Sequence, residues 1–201
     1  MVEPRELEFS PPRDHIDLDA RAILAAVPQA TTNKRIFVQL AAKLVGDRLS
    51  FAELLARAGV PASTGELFDD IAWHDYFRVL VVVAELLHGP VRLSVGLREI
   101  GRCFYPGVSQ TIVGRMMLGR HLGEVVRQAA ETWQQFNTIG RVRGEFLSER
   151  HFRYHFEDYP LLLTETVGIG IFEGVFRHHH MPATISICRI DSMHSMIDVR
   201  W

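Results

Sequence analysis

Hydrophobic positions change period once along the chain, near residue 138. Between residues 17 and 137 apolar side chains recur at the three-to-four-residue spacing of helices. Asp17 or Asp19 is placed to cap a short helix through Ala26, with Pro28 as its stop. Thr31 or Thr32 precedes a second helix, with Ile36, Phe37, Leu40, Leu44 and Val45 in period and Gly46 after it. Ser50 and Glu53 have the spacing of a capping box for a third, ending near Gly59. Residues 61–70, with Pro61, Ser63, Thr64 and Gly65, read as a loop. Trp73–His88 is apolar on nearly every side and is predicted as a buried helix stopped by Gly89-Pro90. Leu93, Leu97, Ile100 and Phe104 mark an amphipathic segment, and Tyr105-Pro106-Gly107 a turn. Ser109 is placed to cap a helix carrying Ile112, Val113, Met116 and Met117. After a joint at Gly119, residues 121–136 continue with Leu122, Val125, Val126, Ala129 and Trp133 in period. All of 17–137 is therefore expected to be helical.

Beyond residue 138 the period falls to two. Val142 and Phe146 share a face against Arg141, Arg143 and Glu145. Phe152, Tyr154 and Phe156 alternate with His151, Arg153, His155 and Glu157. Ile185 and Ile187 alternate with Thr184, Ser186 and Cys188, and Ile197, Val199 and Trp201 with Met196, Asp198 and Arg200. Four such runs predict an antiparallel sheet with one buried and one polar face, with turns at Glu149-Arg150 and Asp191-Ser192. Between the two hairpins, residues 164–177 read as one helix containing Gly168, Gly170 and Gly174. Each interior glycine costs a helix about 1 kcal/mol against alanine, so three imply close backbone approach, expected here between helix and sheet. The fold class is α+β: a helical N-terminal layer on a four-stranded antiparallel sheet, with β-β-α-β-β at the C-terminus. Residues 1–16 read as an extended arm. Residues 17–201 form one domain, divided into a helical part (17–137) and a sheet part (138–201).

The chain has 201 residues, enough for one real core, and a net charge of −2, which offers no global field for nucleic acid or an anionic membrane. No run approaches a membrane span, and the first residues lack the apolar stretch of a secretory signal. A cytoplasmic setting with two reduced cysteines, Cys103 and Cys188, is the expectation.

Candidate chemistry is sparse. Three adjacent histidines, His178 to His180, point about 100° apart on a helix and cannot share a metal. At a helix C-terminus their imidazolium form complements the dipole. Cys188 and His194 flank one turn without a third orienting group. Arg98 and Arg102 share a helix face, and Arg115, Arg120 and Arg127 follow. Such arginines could clamp a phosphate or carboxylate, while a solvated face with Glu99 and Glu124 is the plainer account. Met116 and Met117 could form an adaptable cavity wall. The glycines of the 164–177 helix lack the third glycine of a dinucleotide fingerprint.

Trp73 to Leu87, Leu97-Arg-Glu-Ile-Gly101-Arg102, Thr111-Ile-Val-Gly114-Arg115 and the final tryptophan together resemble a myxobacterial paralogous family of roughly 200-residue domains of unknown function. The β-β-α-β-β unit with its glycine helix is similar, more distantly, to haem nitric-oxide-binding domains, 4-vinyl reductase domains and vesicle-tethering TRAPP subunits. This resemblance implies a pocket between helices and sheet, and often dimers. Haem domains carry a Tyr-x-Ser-x-Arg motif for the propionates; Tyr154, Phe156 and Asp158 stand in those places, and only the tyrosine matches. Cys188 matches the first of two cysteines of the 4-vinyl reductase type, and Met196 replaces the second.

Three functions follow as expectations. The first is a non-catalytic regulatory or adaptor module acting through protein contact, as a homodimer or with another protein, through a small apolar ligand in a helix–sheet pocket, or through both, with no cofactor and no metal. The second is a haem or other cofactor sensor. The third is an anionic-ligand or nucleotide binder built on Arg98, Arg102 and Arg115; the ligand-binding residues expected overall are these three with Met116 and Tyr154.

Overall fold

The change of period near residue 138 is the boundary between two layers. The computed structural model describes residues 7–46, 48–61, 65–117 and 121–201. The expected joint at Gly119, the candidate Arg120, the loop residues Ser63 and Thr64, and the start of the arm lie outside them, as do the side chains of Val113 and Met117.

Helix α1 (Ala20–Ala26) begins at Asp19, whose carboxylate accepts from the N–H groups of Arg21 and Ala22. Next come β1 (Thr32–Lys34), α2 (Arg35–Lys43) and α3 (Phe51–Arg57), the last opened by the Ser50–Glu53 capping box. β2 (Asp70–Ala72) pairs antiparallel with β1, which corrects the expectation of helix throughout 17–137. Three-residue strands are too short to show a period, so the sequence pattern passes over them. α4 (Trp73–His88) is the buried helix expected, and it stops at Gly89, where φ is +78°.

α5 (Leu93–Ser109) runs straight through Tyr105-Pro106-Gly107, where a turn was expected. Packing overrides the local preference: Tyr105 and Val108 are buried, and Gly107 lies against Leu40. Ser109 therefore ends α5 and donates to the Pro106 carbonyl at 2.9 Å. The cap of α6 (Ile112–Met117) falls to Thr111, whose hydroxyl accepts from the Gly114 N–H. α7 (Leu122–Phe136) completes the helical part. Among the described residues, no single helix is long and apolar enough to cross a membrane.

The sheet contains β3 (Arg141–Ser148), β4 (His151–Glu157), β5 (Thr184–Arg189) and β6 (Ser195–Arg200), antiparallel throughout in the order β3-β4-β6-β5. Phe152, Tyr154, Phe156, Ile187, Ile197 and Val199 are buried and join one core with α2, α4 and α5. The connection between the hairpins is α8 (Leu161–Leu163), a π-helical turn (Thr164–Gly168) and α9 (Ile169–His178).

The glycine seam is a correction to the expected partner. Gly170 and Gly174 meet α5, not the sheet. A Cβ at Gly170 would collide with the carbonyl oxygen of Arg98, one at Gly174 with that of Arg102, and one at Gly101 with that of Val167. Pro106 has no N–H to give the Arg102 carbonyl, and this carbonyl is the one that rests on Gly174. Gly168 makes only ordinary contacts at 3.4 Å or beyond. The sheet receives α9 through rings instead: Phe172 lies 4.5 Å from Tyr154 and Phe176 5.6 Å from Trp201.

The arm is anchored. Ser10 exchanges backbone hydrogen bonds of 3.0 and 2.8 Å with Ile187 on the edge of β5. Arg13 and Arg189 both pair with Glu165, a buried carboxylate in the π-helical turn.

Candidate functional site

Between α5, α7, α9 and the sheet lies a cavity of about 130 Å³. Its walls are rings and branched chains: Phe37 from α2, Phe104 and Val108 from α5, Val125, Ala129, Trp133 and Phe136 from α7, Tyr154 and Phe156 from β4, and Ile171, Phe172 and Val175 from α9. Some of the rings stand edge-on: Trp133 is 5.7 Å from Phe156 at 87° and 5.3 Å from Tyr159 at 81°, and Phe37 is 5.6 Å from Phe136 at 74°, while Phe37–Phe104, Tyr154–Phe172 and Phe156–Tyr159 are tilted at 50°, 44° and 42°. Rings that meet edge to face are favourable pairs. The space they leave is the cavity.

Few polar atoms reach it. Tyr154 donates to the Val126 carbonyl at 2.6 Å, and burial holds its hydroxyl and that of Tyr159 protonated far above the ordinary range. Trp133 Nε1 is a buried donor with no hydrogen-bond partner. Such a donor costs on the order of 1–3 kcal/mol unless something accepts from it. Among the described residues, no histidine, cysteine or methionine lines the cavity.

Of the residues singled out from sequence, Tyr154 and Gly168 line the cavity. Arg98 and Arg102 converge on Glu173 of α9: Arg98 Nε donates at 3.2 and 3.1 Å, and Arg102 Nε at 2.7 Å. Burial pushes the Glu173 carboxyl up, but the hydrogen bonds and charges of the two arginines outweigh it and hold the pKa below the ordinary value. These arginines therefore clamp a carboxylate of their own chain. Arg115 and Met116 are exposed on α6, Met116 at 82%. The structure does not gather Arg98, Arg102, Arg115, Met116 and Tyr154 into one site.

The remaining candidates are structural. His179 caps α9 and shares a 2.9 Å hydrogen bond with the Tyr105 hydroxyl. Burial and the neighbouring His178 and His180 lower its pKa, so the imidazolium expected at the helix end is disfavoured there. Burial pushes the Cys103 thiol up to about 12, and also raises that of Cys188; neither is a ready thiolate. His194 turns to Asp191 at 2.9 Å. Among the described residues no group of three His, Cys, Asp or Glu could hold a metal ion.

Sequence reasoning missed Phe37, Trp133, Phe136 and Tyr159 as site residues. Their helical or loop positions look like core, and only the tertiary arrangement shows that they leave a void.

The backbone is that of H-NOX proteins. An H-NOX protein from S. oneidensis in its Fe(II)NO ligation state superposes with a TM-score of 0.64 at 15% identity, over 83% of this chain and 98% of that one. A point mutant of the T. tengcongensis H-NOX gives 0.61 at 18%, over 83% and 95%. A point mutant of the K. algicida H-NOX protein, Fe(II) and unliganded, gives 0.60 at 12%, over 83% and 95%. At these identities the likeness establishes the fold alone. No curated protein matches the chain in sequence. A family model does: residues 26–201, from the end of α1 through the last strand, match "Protein of unknown function (DUF2378)", and the chain belongs to that family.

Proposed function

We propose that this domain is a non-catalytic regulatory or adaptor module that holds a small, ring-sized apolar molecule in the helix–sheet cavity. The observation that carries the reading is the apolar, ring-lined space itself. A dry cavity of about 150 Å³ in another protein accepts one benzene ring, so about 130 Å³ suits a ligand of that size.

Haem, which the H-NOX fold brings to mind, does not suit these walls. A haem iron takes His, Cys, Met or Tyr. Among the described lining residues only tyrosines could serve, Tyr76, Tyr105, Tyr154 and Tyr159, and burial raises the pKa of all four. A nucleotide or other anion finds Arg98 and Arg102 already engaged by Glu173. On this reading the kinship extends to 4-vinyl reductase domains, TRAPP subunits and the myxobacterial paralogues, and the setting is cytoplasmic.

The test is thermal denaturation with toluene and with benzaldehyde. Both raise Tm, and filling the space with Ala129→Val lowers both shifts. A ligand at a hundred times its Kd adds about 2.7 kcal/mol of stability. No shift with either compound at saturation overturns the proposal.

A further inference from the structure

The two edges of the sheet are treated differently. β5 is covered at Ile187 by Ser10 of the arm. β3, at the other edge, takes backbone hydrogen bonds from no strand but β4 among the described residues. Seven of its eight residues are exposed, including Phe146 at 44% on the face that should be buried. An open, partly apolar edge is a template for another strand.

We propose that the strand that pairs with it is β3 of a second copy, running antiparallel and centred on Gly144. The charges argue for that occupant. Across the outer face, Asp198 lies opposite Arg153, and Arg153 opposite Glu145. The row runs minus, plus, minus from β6 to the edge of β3 and stops there. Pairing about Gly144 sets Glu145 opposite the second copy's Arg143, and Arg143 opposite its Glu145. The alternation then continues across the axis twice, by symmetry. A slip of two residues either way puts Arg143 against its own copy, or Glu145 against its own, and like charges directly opposite are unfavourable. A slip of one residue would turn the apolar face outward. In the chosen register Phe146 lies opposite the second copy's Val142, so its exposed ring gains an apolar neighbour.

Both charges stay accessible to a partner. Arg143 leans on Glu157 and Glu145 on His155 at 3.1 Å, which fixes them on the outer face, yet their side chains remain 72% and 55% exposed. The bulge between Phe146 and Ser148 ends the regular stretch, so each copy contributes residues 142–146. A contact of this size is at the small end of specific interfaces, and the dimer is accordingly concentration-dependent. The inference stands apart from the cavity.

Sedimentation equilibrium of the full chain with Arg143→Glu and Glu145→Arg tests it. The unmodified chain dimerises. Each single variant keeps its circular dichroism but weakens association by about tenfold or more, having two repelling pairs in place of two attracting ones. Mixing the two variants restores a dimer, because both carboxylates of one variant then face both guanidinium groups of the other. A monomeric unmodified chain, single variants that dimerise normally, or variants that fail to associate on mixing would each overturn the proposal.

Discussion

Between α5 and α9 the contact is made by missing side chains; between α7 and β4 it is made by large ones. At the first seam Gly101, Gly170 and Gly174 let carbonyl oxygens of one helix rest on Cα atoms of the other. At the second, Trp133 meets Phe156 and Tyr159 edge-on, and the three rings border empty space. Both seams belong to one continuous core. The contrast teaches that close packing and emptiness can be neighbours. Backbone against backbone fits in one way only, whereas a ring cluster with an unfilled centre has room to accept something.

The largest expected effect breaks the tight seam. Gly170→Ala places a methyl inside the Arg98 carbonyl and should cost about 3 kcal/mol or more, as severe overpacking does. Gly168→Ala, whose new methyl would have its nearest neighbour at 3.4 Å in helical backbone, should be neutral or stabilising by up to about 1 kcal/mol. Urea unfolding of the pair measures the gap; equal stabilities would show that α5 and α9 are not locked by their glycines.

A middle-sized effect concerns the charges that flank the same seam. Glu173→Gln should cost about 1–2 kcal/mol at neutral pH, reduced by partial exposure of the arginines. The folded-state pKa of Glu173 lies below its ordinary 4.5. Its contribution is therefore full above that ordinary value and is lost as pH falls through the lower, folded value. The stability difference between the unmodified chain and the variant should shrink with acidification in that window and stay constant above it. A difference that grows with acid would contradict the clamp.

The smallest effect sharpens the other side. Ala129→Val extends a methyl pair toward the cavity and should stabilise by about 0.5–1 kcal/mol, as cavity filling commonly does. The same change at the glycine seam would be ruinous. Calorimetry should find the sign positive for Ala129→Val, together with weaker toluene binding.

The sequence displays the sheet well because alternation at Phe152, Tyr154 and Phe156 is a local pattern with only one physical reading. Trp73–His88 is equally plain, since an apolar run of that length bounded by Gly89-Pro90 leaves a buried helix as its outcome. β1 and β2 leave no trace because three residues make no period. Pro106 misleads because the helix is held by burial of Tyr105 and Val108, which is a tertiary fact. The glycines of α9 announce close approach, but their partner is far along the chain in α5, and nothing local distinguishes helix from sheet as the neighbour. Glu173 is likewise distant from Arg98 and Arg102, so the arginines look available for a ligand until the chain is folded. A cavity is harder still to anticipate, for it consists of what the side chains fail to fill.

The strap formed by Ser10 on Ile187 has a consequence for growth. A sheet open on both sides could add copy after copy without limit. Here one side is met at Ile187 by the chain's own arm, so association through the other, as proposed above, would close on itself. On the proposed pairing through β3, the arm would act as a terminator, setting a ceiling of two and keeping an adhesive strand from seeding a fibre.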